Sequence, residues 1–303
     1  MPEAVAVCDH YAGSQRFFDK AMGLRQRLGN HFDITLDLED GAALEDVASS
    51  VAWVRDALTG QPSATGIGRF GVRIHPLRHP AFDSEIASLL AQPLDSLAYL
   101  TLPKPESLSD VQEAIQRIHQ ICQQNGFRQP PYLDVLIETH GALAEVQQIA
   151  ALPNVRVLSF GLMDFVSSHG GAISDDAMRS PGQFEHALVR RAKIEIAAAC
   201  HRYGKTPSHN VSVKYDDAQQ TLADAQRARS GFGFARMWSI HPSQIEPILQ
   251  AFAPSPDQVE LAETILQKAA AANWGPIEHK GLLHDMASYR YYQNLVNSFR
   301  EMP

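Results

Sequence analysis

Positive charge is in short supply in this chain. Its 26 Lys and Arg stand against 34 Asp and Glu, a formal net charge of −8. That balance argues against non-specific nucleic-acid binding, which needs a basic surface. Cysteine is scarcer still. Cys8, Cys122 and Cys200 are odd in number and far apart, so they make neither a disulfide framework nor a metal knuckle and suit a reducing cytoplasm. No window holds the ~20 apolar residues of a membrane span. Residues 1–13 lack the basic-then-apolar order of a secretory leader. The 13 histidines include no HExxH or paired spacing. The expectation is a cytoplasmic protein with neither nucleic acid nor membrane as partner.

What is there is an ordinary globular composition, 45% hydrophobic and 20% charged over 303 residues, long enough for one large domain or two small ones. Short apolar runs alternate with helical patterns. Strands are expected at Val5–Cys8, 32–38, 70–74, 96–102, 132–137, a run ending at Gly161, 210–214 and 236–240. Helices are expected over 14–29, 44–58, 79–90, 109–125, 142–152, 184–203 and 218–230. Eight strand–helix units point to a parallel (β/α)8 barrel, a TIM barrel, over residues 1–253, with an open doubly wound sheet as the alternative. The Pro254-Ser255-Pro256 break opens a C-terminal helical extension over 254–303, suited to covering a site or meeting a neighbour.

In a parallel barrel the chemistry sits where the strands end, and here those ends are charged. Val135-Leu136-Ile137-Glu138 and Leu158–Asp164 are two apolar runs joined by a helical segment, each with a carboxylate at or just past its end. A parallel pair brings both ends to one edge, so Glu138 and Asp164 can converge. Two converging carboxylates need a proton or a cation between them, and hard oxygen ligands favour Mg²⁺ or Mn²⁺. Capping of the next helix is the competing reading for each acid. The second strand ends in Asp37-Leu38-Glu39-Asp40-Gly41, with Asp37 and Glu39 on one side by period two. The third ends at Arg73, fit for a carboxylate of the chain or of a substrate. The fourth ends at Pro103-Lys104-Pro105, where a Schiff-base role competes with ion pairing.

Taken in order, LDLEDGA (36–42), VRIHP (72–76), LPKPE (102–106), IETHGAL (137–143), FGLMDF (160–165) and IHPSQI (240–245) resemble the citrate lyase β-subunit-like family of the HpcH/HpaI aldolase/citrate lyase superfamily. The resemblance implies a TIM barrel, Mg²⁺ on Glu138 and Asp164, Arg73 on a substrate carboxylate, and assembly as homotrimers or hexamers. Its members make or break carbon–carbon bonds next to a carbonyl, often on coenzyme A thioesters. Three positions depart from the family pattern. Ala6–Gly13 replaces the usual Arg-Ser start, no basic residue follows Asp40 closely, and His75 stands for the usual Asn. The first two lie where thioester-using relatives contact coenzyme A, which gives ground to a free oxo- or hydroxy-acid.

The expected function is a Mg²⁺-dependent carbon–carbon lyase acting on a small hydroxy-dicarboxylate or its thioester. Glu138 and Asp164 would hold the metal and Glu138 would face the substrate. Arg73 would clamp its carboxylate, and one of Asp37, Glu39 or Asp40 would move the proton. The alternatives are a thioester hydrolase on the same metal and a non-catalytic carboxylate-binding barrel. Asp285, in the tail, loosely resembles the acid that relatives place over a neighbour's site. It reads equally as the N-cap of a helix from Met286.

Overall fold

The structure, a computed structural model, describes residues 5–41, 46–63 and 68–300, without the side chains of 298–300. Eight parallel strands close into a barrel in sequence order. Around the ring run β1 (Cys8–Ala12), α1 (Gln15–Leu28), β2 (Phe32–Asp37), α2 (Val47–Leu58), β3 (Phe70–Arg73), α3 (Phe82–Leu89), β4 (Leu97–Leu102), α4 (Leu108–Gln124) and β5 (Tyr132–Ile137). The second half is α5 (His140–Ala144), α6 (Val146–Ala151), β6 (Val155–Phe160), α7 (Leu162–Ser167), α8 (Ala187–Tyr203), β7 (Thr206–His209), α9 (Ala218–Phe232), β8 (Arg236–Ser239) and α10 (Ile245–Phe252). Beyond lie α11 (Pro256–Ala271), β9 (Ile277–His279), β10 (Leu282–His284) and α12 (Met286–Arg300). Contacts divide the chain into two compact units, residues 1–249 and 250–303.

The expected TIM barrel is what forms, and several elements differ from their sequence reading. The first strand starts at Cys8, not Val5, because Asp9 and Tyr11 are lumen residues whose polarity hid the strand. The seventh is Thr206–His209, ahead of the expected 210–214. Its Ser208 and His209 pair with Arg236 and Met237 of β8. The single helix expected at 142–152 is two short ones, α5 and α6. The start expected for the second helix, at Leu44, lies outside the described residues; Asp46 caps the helix by accepting from the Ala48 and Ser49 amides.

The period-two pattern of β2 shows how the core is divided. Phe32, Ile34 and Leu36 face outward and are fully buried under the helix ring, while Asp33, Thr35 and Asp37 line the lumen. Low in the lumen Arg236 joins Asp33 at 2.6 Å and Asp9 at 2.8 Å. Thr35 and Tyr99 hydroxyls donate to Asp9 at 2.8 and 3.0 Å. Arg156 pairs with Asp134 at 2.7 Å and lies over the Tyr99 ring. Gly71 is required beside that ring, since a Cβ there would fall 2.1 Å from it. Most small barrels fill this space with branched apolar side chains; here paired charges do it.

In the second unit α11 and α12 pack through Val259, Ala262, Leu295 and Val296. Residues 277–284 form an antiparallel hairpin, β9 with β10. Lys280 and Gly281 both take positive φ, 49° and 80°, as a two-residue hairpin turn requires.

Candidate active site

Five strand ends assemble the candidate site. On β2 the chain folds back over its own Asp37. The amides of Glu39 and Gly41 donate to its two oxygens at 3.1 and 3.0 Å. A side chain at Gly41 would put a Cβ 2.2 Å from Asp37, so glycine is needed for that turn. From β3, Arg73 lays its Nε and Nη2 on the same carboxylate at 2.7 and 2.5 Å, and its Nη1 lies 3.0 Å from Glu39. Burial opposes the guanidinium charge, but Asp37 and Glu39 outweigh it and hold Arg73 firmly protonated. All three guanidinium nitrogens of Arg73 thus lie against carboxylates of the chain.

Lys104 follows β4 between two prolines, with φ at +50°, uncommon for a residue with a Cβ. That conformation aims its backbone N–H at Glu138 Oε1, 2.7 Å away. Its ammonium meets Glu39 at 2.5 Å and Asp40 at 2.6 Å, and comes within 3.9 Å of Asp164. Burial pulls the Lys104 pKa down, and the hydrogen bonds to Asp40 and Glu39 more than reverse it. Of the two readings of this lysine, the geometry is that of an ion pair.

Glu138 and Asp164 follow neighbouring strands, β5 and β6. Ile137 of β5 is in register with Phe160 of β6, which sets Glu138 beside Gly161. A Cβ on Gly161 would lie 2.0 Å from Glu138 Oε2, so the carboxylate occupies space that only glycine leaves. Asp164 lies just past the strand, in the first turn of α7. Glu138 is 3% exposed and the Asp164 side chain 45%. Burial, then the charge of Asp164, pushes the Glu138 pKa up to about 8. A buried acid forced to keep its proton by a second acid is what a divalent cation would relieve. Mg²⁺ commonly takes one or two protein carboxylates and keeps several waters, so this pair fits it. Among the described residues there is no group of three or more His, Cys, Asp or Glu that could hold a metal.

Asp37, Glu39, Asp40, Arg73, Glu138 and Asp164 therefore lie in one network. Asp285 belongs to the other unit, where its carboxylate accepts from the Ala287 amide at 2.9 Å at the start of α12. Sequence reasoning missed Tyr11 and Trp238, whose rings lie 4.9 Å apart, with the Arg73 guanidinium 5.3 Å from the Tyr11 centroid. Period two, counted from Asp9 and Arg236, would have found both.

A (β/α)8 barrel with acids and an arginine gathered at its strand ends defines a class of enzyme-like scaffold. The family can be stated: residues 24–242 match the HpcH/HpaI aldolase/citrate lyase model, and the chain belongs to that family. It is 30% identical over 275 residues to the L-malyl-CoA/beta-methylmalyl-CoA lyase of Cereibacter sphaeroides, covering 87% of this chain and 86% of that one. A crystal structure of a citrate lyase from Burkholderia xenovorans is 47% identical, with a TM-score of 0.91 over 100% of this chain and 95% of that one. CitE from Mycobacterium tuberculosis, in complex with magnesium, acetoacetate and coenzyme A, is 21% identical with a TM-score of 0.76, over 98% and 99% of the two chains. This last likeness is one of fold.

Proposed function

We propose that the protein is a Mg²⁺-dependent carbon–carbon lyase acting on a small hydroxy-carboxylic acid or its coenzyme A thioester. The observation that carries this reading is the buried Glu138, held by the Lys104 amide and raised by Asp164. The names of the relatives, a malyl-CoA lyase and a citrate lyase, support it, as does magnesium in the CitE complex. Bound to Glu138 and Asp164, Mg²⁺ would supply Lewis-acid polarisation of a carbonyl and a countercharge for an enolate.

The chain's own residues do the rest. Arg73 meets the substrate carboxylate, with Asp37 fixing its guanidinium in place from behind. All four contacts described for Asp37 are to Arg73 and its own turn, which supports a bracing role for it over a proton-carrying one. Glu39 and Asp40 hold Lys104, whose ammonium offsets negative charge at the site. Asp40, the more exposed of the two, is the acid placed to exchange a proton with solvent. Cleavage sends the electron pair of the broken bond to the enolate carbon and oxygen while the hydroxyl proton leaves to a base.

The test is binding first, then products. Glu138→Ala and Asp164→Ala should each abolish Mg²⁺-dependent thermal stabilisation and leave the metal-free fold intact. Parent-like Mg²⁺ binding in both would remove the metal assignment. Two carbon fragments from a hydroxy-acyl substrate mark a lyase; free thiol with an uncleaved acid marks a hydrolase.

A further inference from the structure

The lumen wall formed by β8 and β1 lies across the barrel from β4 and β5, and it is aromatic. Asp9 faces the lumen, because it meets Arg236, Thr35 and Tyr99 there. Tyr11, two residues on, faces the same way, and so does Trp238, two residues beyond Arg236. Tyr11 is 6% exposed and Trp238 half-buried. The Trp238 indole N–H donates to the Phe160 carbonyl at 3.4 Å, so its polar edge is engaged by β6 and carbon is what it has left to offer. Arg73 over Tyr11 joins this wall directly to the carboxylate network.

Charge at the same end restricts what can sit there. Asp37, Glu39, Asp40, Glu138 and Asp164 are five carboxylates. Among the described residues, the two cations touching them are already shared, Arg73 between Asp37 and Glu39, and Lys104 between Glu39 and Asp40. A dication beside Arg73 can serve one substrate carboxylate. Desolvating a second carboxylate among these acids without a cation of its own is costly.

We propose that Trp238 and Tyr11 are the specificity wall of the site, seating an uncharged alkyl substituent beside the reacting carbonyl of an acid with one free carboxylate. This rests on the metal–oxo-acid reading above. An alkyl group against the two rings gains apolar contact, and each added methylene should tighten binding about fourfold.

The experiment titrates Mg²⁺-saturated protein with pyruvate, 2-oxobutyrate and oxaloacetate by calorimetry. The expected order is 2-oxobutyrate about fourfold tighter than pyruvate, and oxaloacetate weakest. Trp238→Ala should flatten the step from pyruvate to 2-oxobutyrate while Trp238→Phe keeps it. In a Trp53→Phe/Trp274→Phe background Trp238 is the sole indole, and its emission should shift on adding 2-oxobutyrate. That readout carries the test even where Trp238→Ala does not fold. Wild-type protein binding none of the three acids overturns the underlying reading, and the wall with it. Binding with oxaloacetate equal or tighter, an intact step in Trp238→Ala, or silent emission overturns the wall alone.

Discussion

At the scale of single residues, Glu138 carries most of the site's electrostatics. Its pKa stands raised from the ordinary carboxylate range to about 8, first by burial and then by Asp164. The folded, metal-free protein therefore keeps a proton that the unfolded chain gives up near the ordinary glutamate value of 4.5. The sign follows directly: stability fully present below that value is lost as pH rises through about 8. Metal-free melting temperature should fall across this window, and saturating Mg²⁺ should remove the slope. Binding of Mg²⁺ near neutral pH should release about one proton, seen by calorimetry in buffers of different ionisation enthalpy. Buffer-independent heats would show that Glu138 does not give up a proton to the metal. Arg73 shows a different economy, since the contacts that keep it charged engage all three of its guanidinium nitrogens.

Among the elements, the start of α12 bears on the two readings of Asp285. Its carboxylate accepts from the Ala287 amide at 2.9 Å, and its own N–H donates to the Ser288 hydroxyl at 3.1 Å. This reciprocal pair is a helix cap. Asn caps as well as Asp, so Asp285→Asn should leave melting temperature and turnover near those of the parent. A fall of about 10²–10⁴-fold in rate with an unchanged melting temperature would instead make Asp285 a proton carrier. The turn after β4 is the other element that sets chemistry. One strained residue, Lys104, reaches Glu138 with its amide and Glu39 and Asp40 with its ammonium, so backbone and side chain brace different acids.

On the scale of the whole molecule, the barrel is held from inside by charge as well as from outside by apolar packing. Arg236 is fully buried between Asp9 and Asp33. Arg236→Met would leave both carboxylates in the lumen without their cation. Losing one partner of a buried pair costs about 3–5 kcal/mol, to be read as a lowered denaturant midpoint with circular dichroism. A loss under about 1 kcal/mol would mean that the lumen acids are neutral or rearranged. Among the described residues no helix is long and apolar enough to cross a membrane.

Local pattern by itself determined most of the succession of strands and helices, and with it a parallel sheet that was either a closed barrel or an open doubly wound one. Closure is tertiary. Outward-facing rows such as Phe32, Ile34 and Leu36 announce themselves through period two. The acids and Arg73 were legible too, because charge at the end of an apolar run is conspicuous. Tertiary structure decided what could not be read along the chain. The lumen strands β1 and β7 were misplaced because polar side chains there are satisfied by partners far away in sequence, as Asp9 is by Arg236. Only the fold showed that Asp37 is consumed in holding Arg73, that Asp164 rides on α7, and that Gly161 makes room for Glu138. The aromatic pair Tyr11 and Trp238 belongs to the same class. Its members are 227 positions apart by their numbers, and they meet because β1 and β8 are the two strands whose pairing closes the barrel.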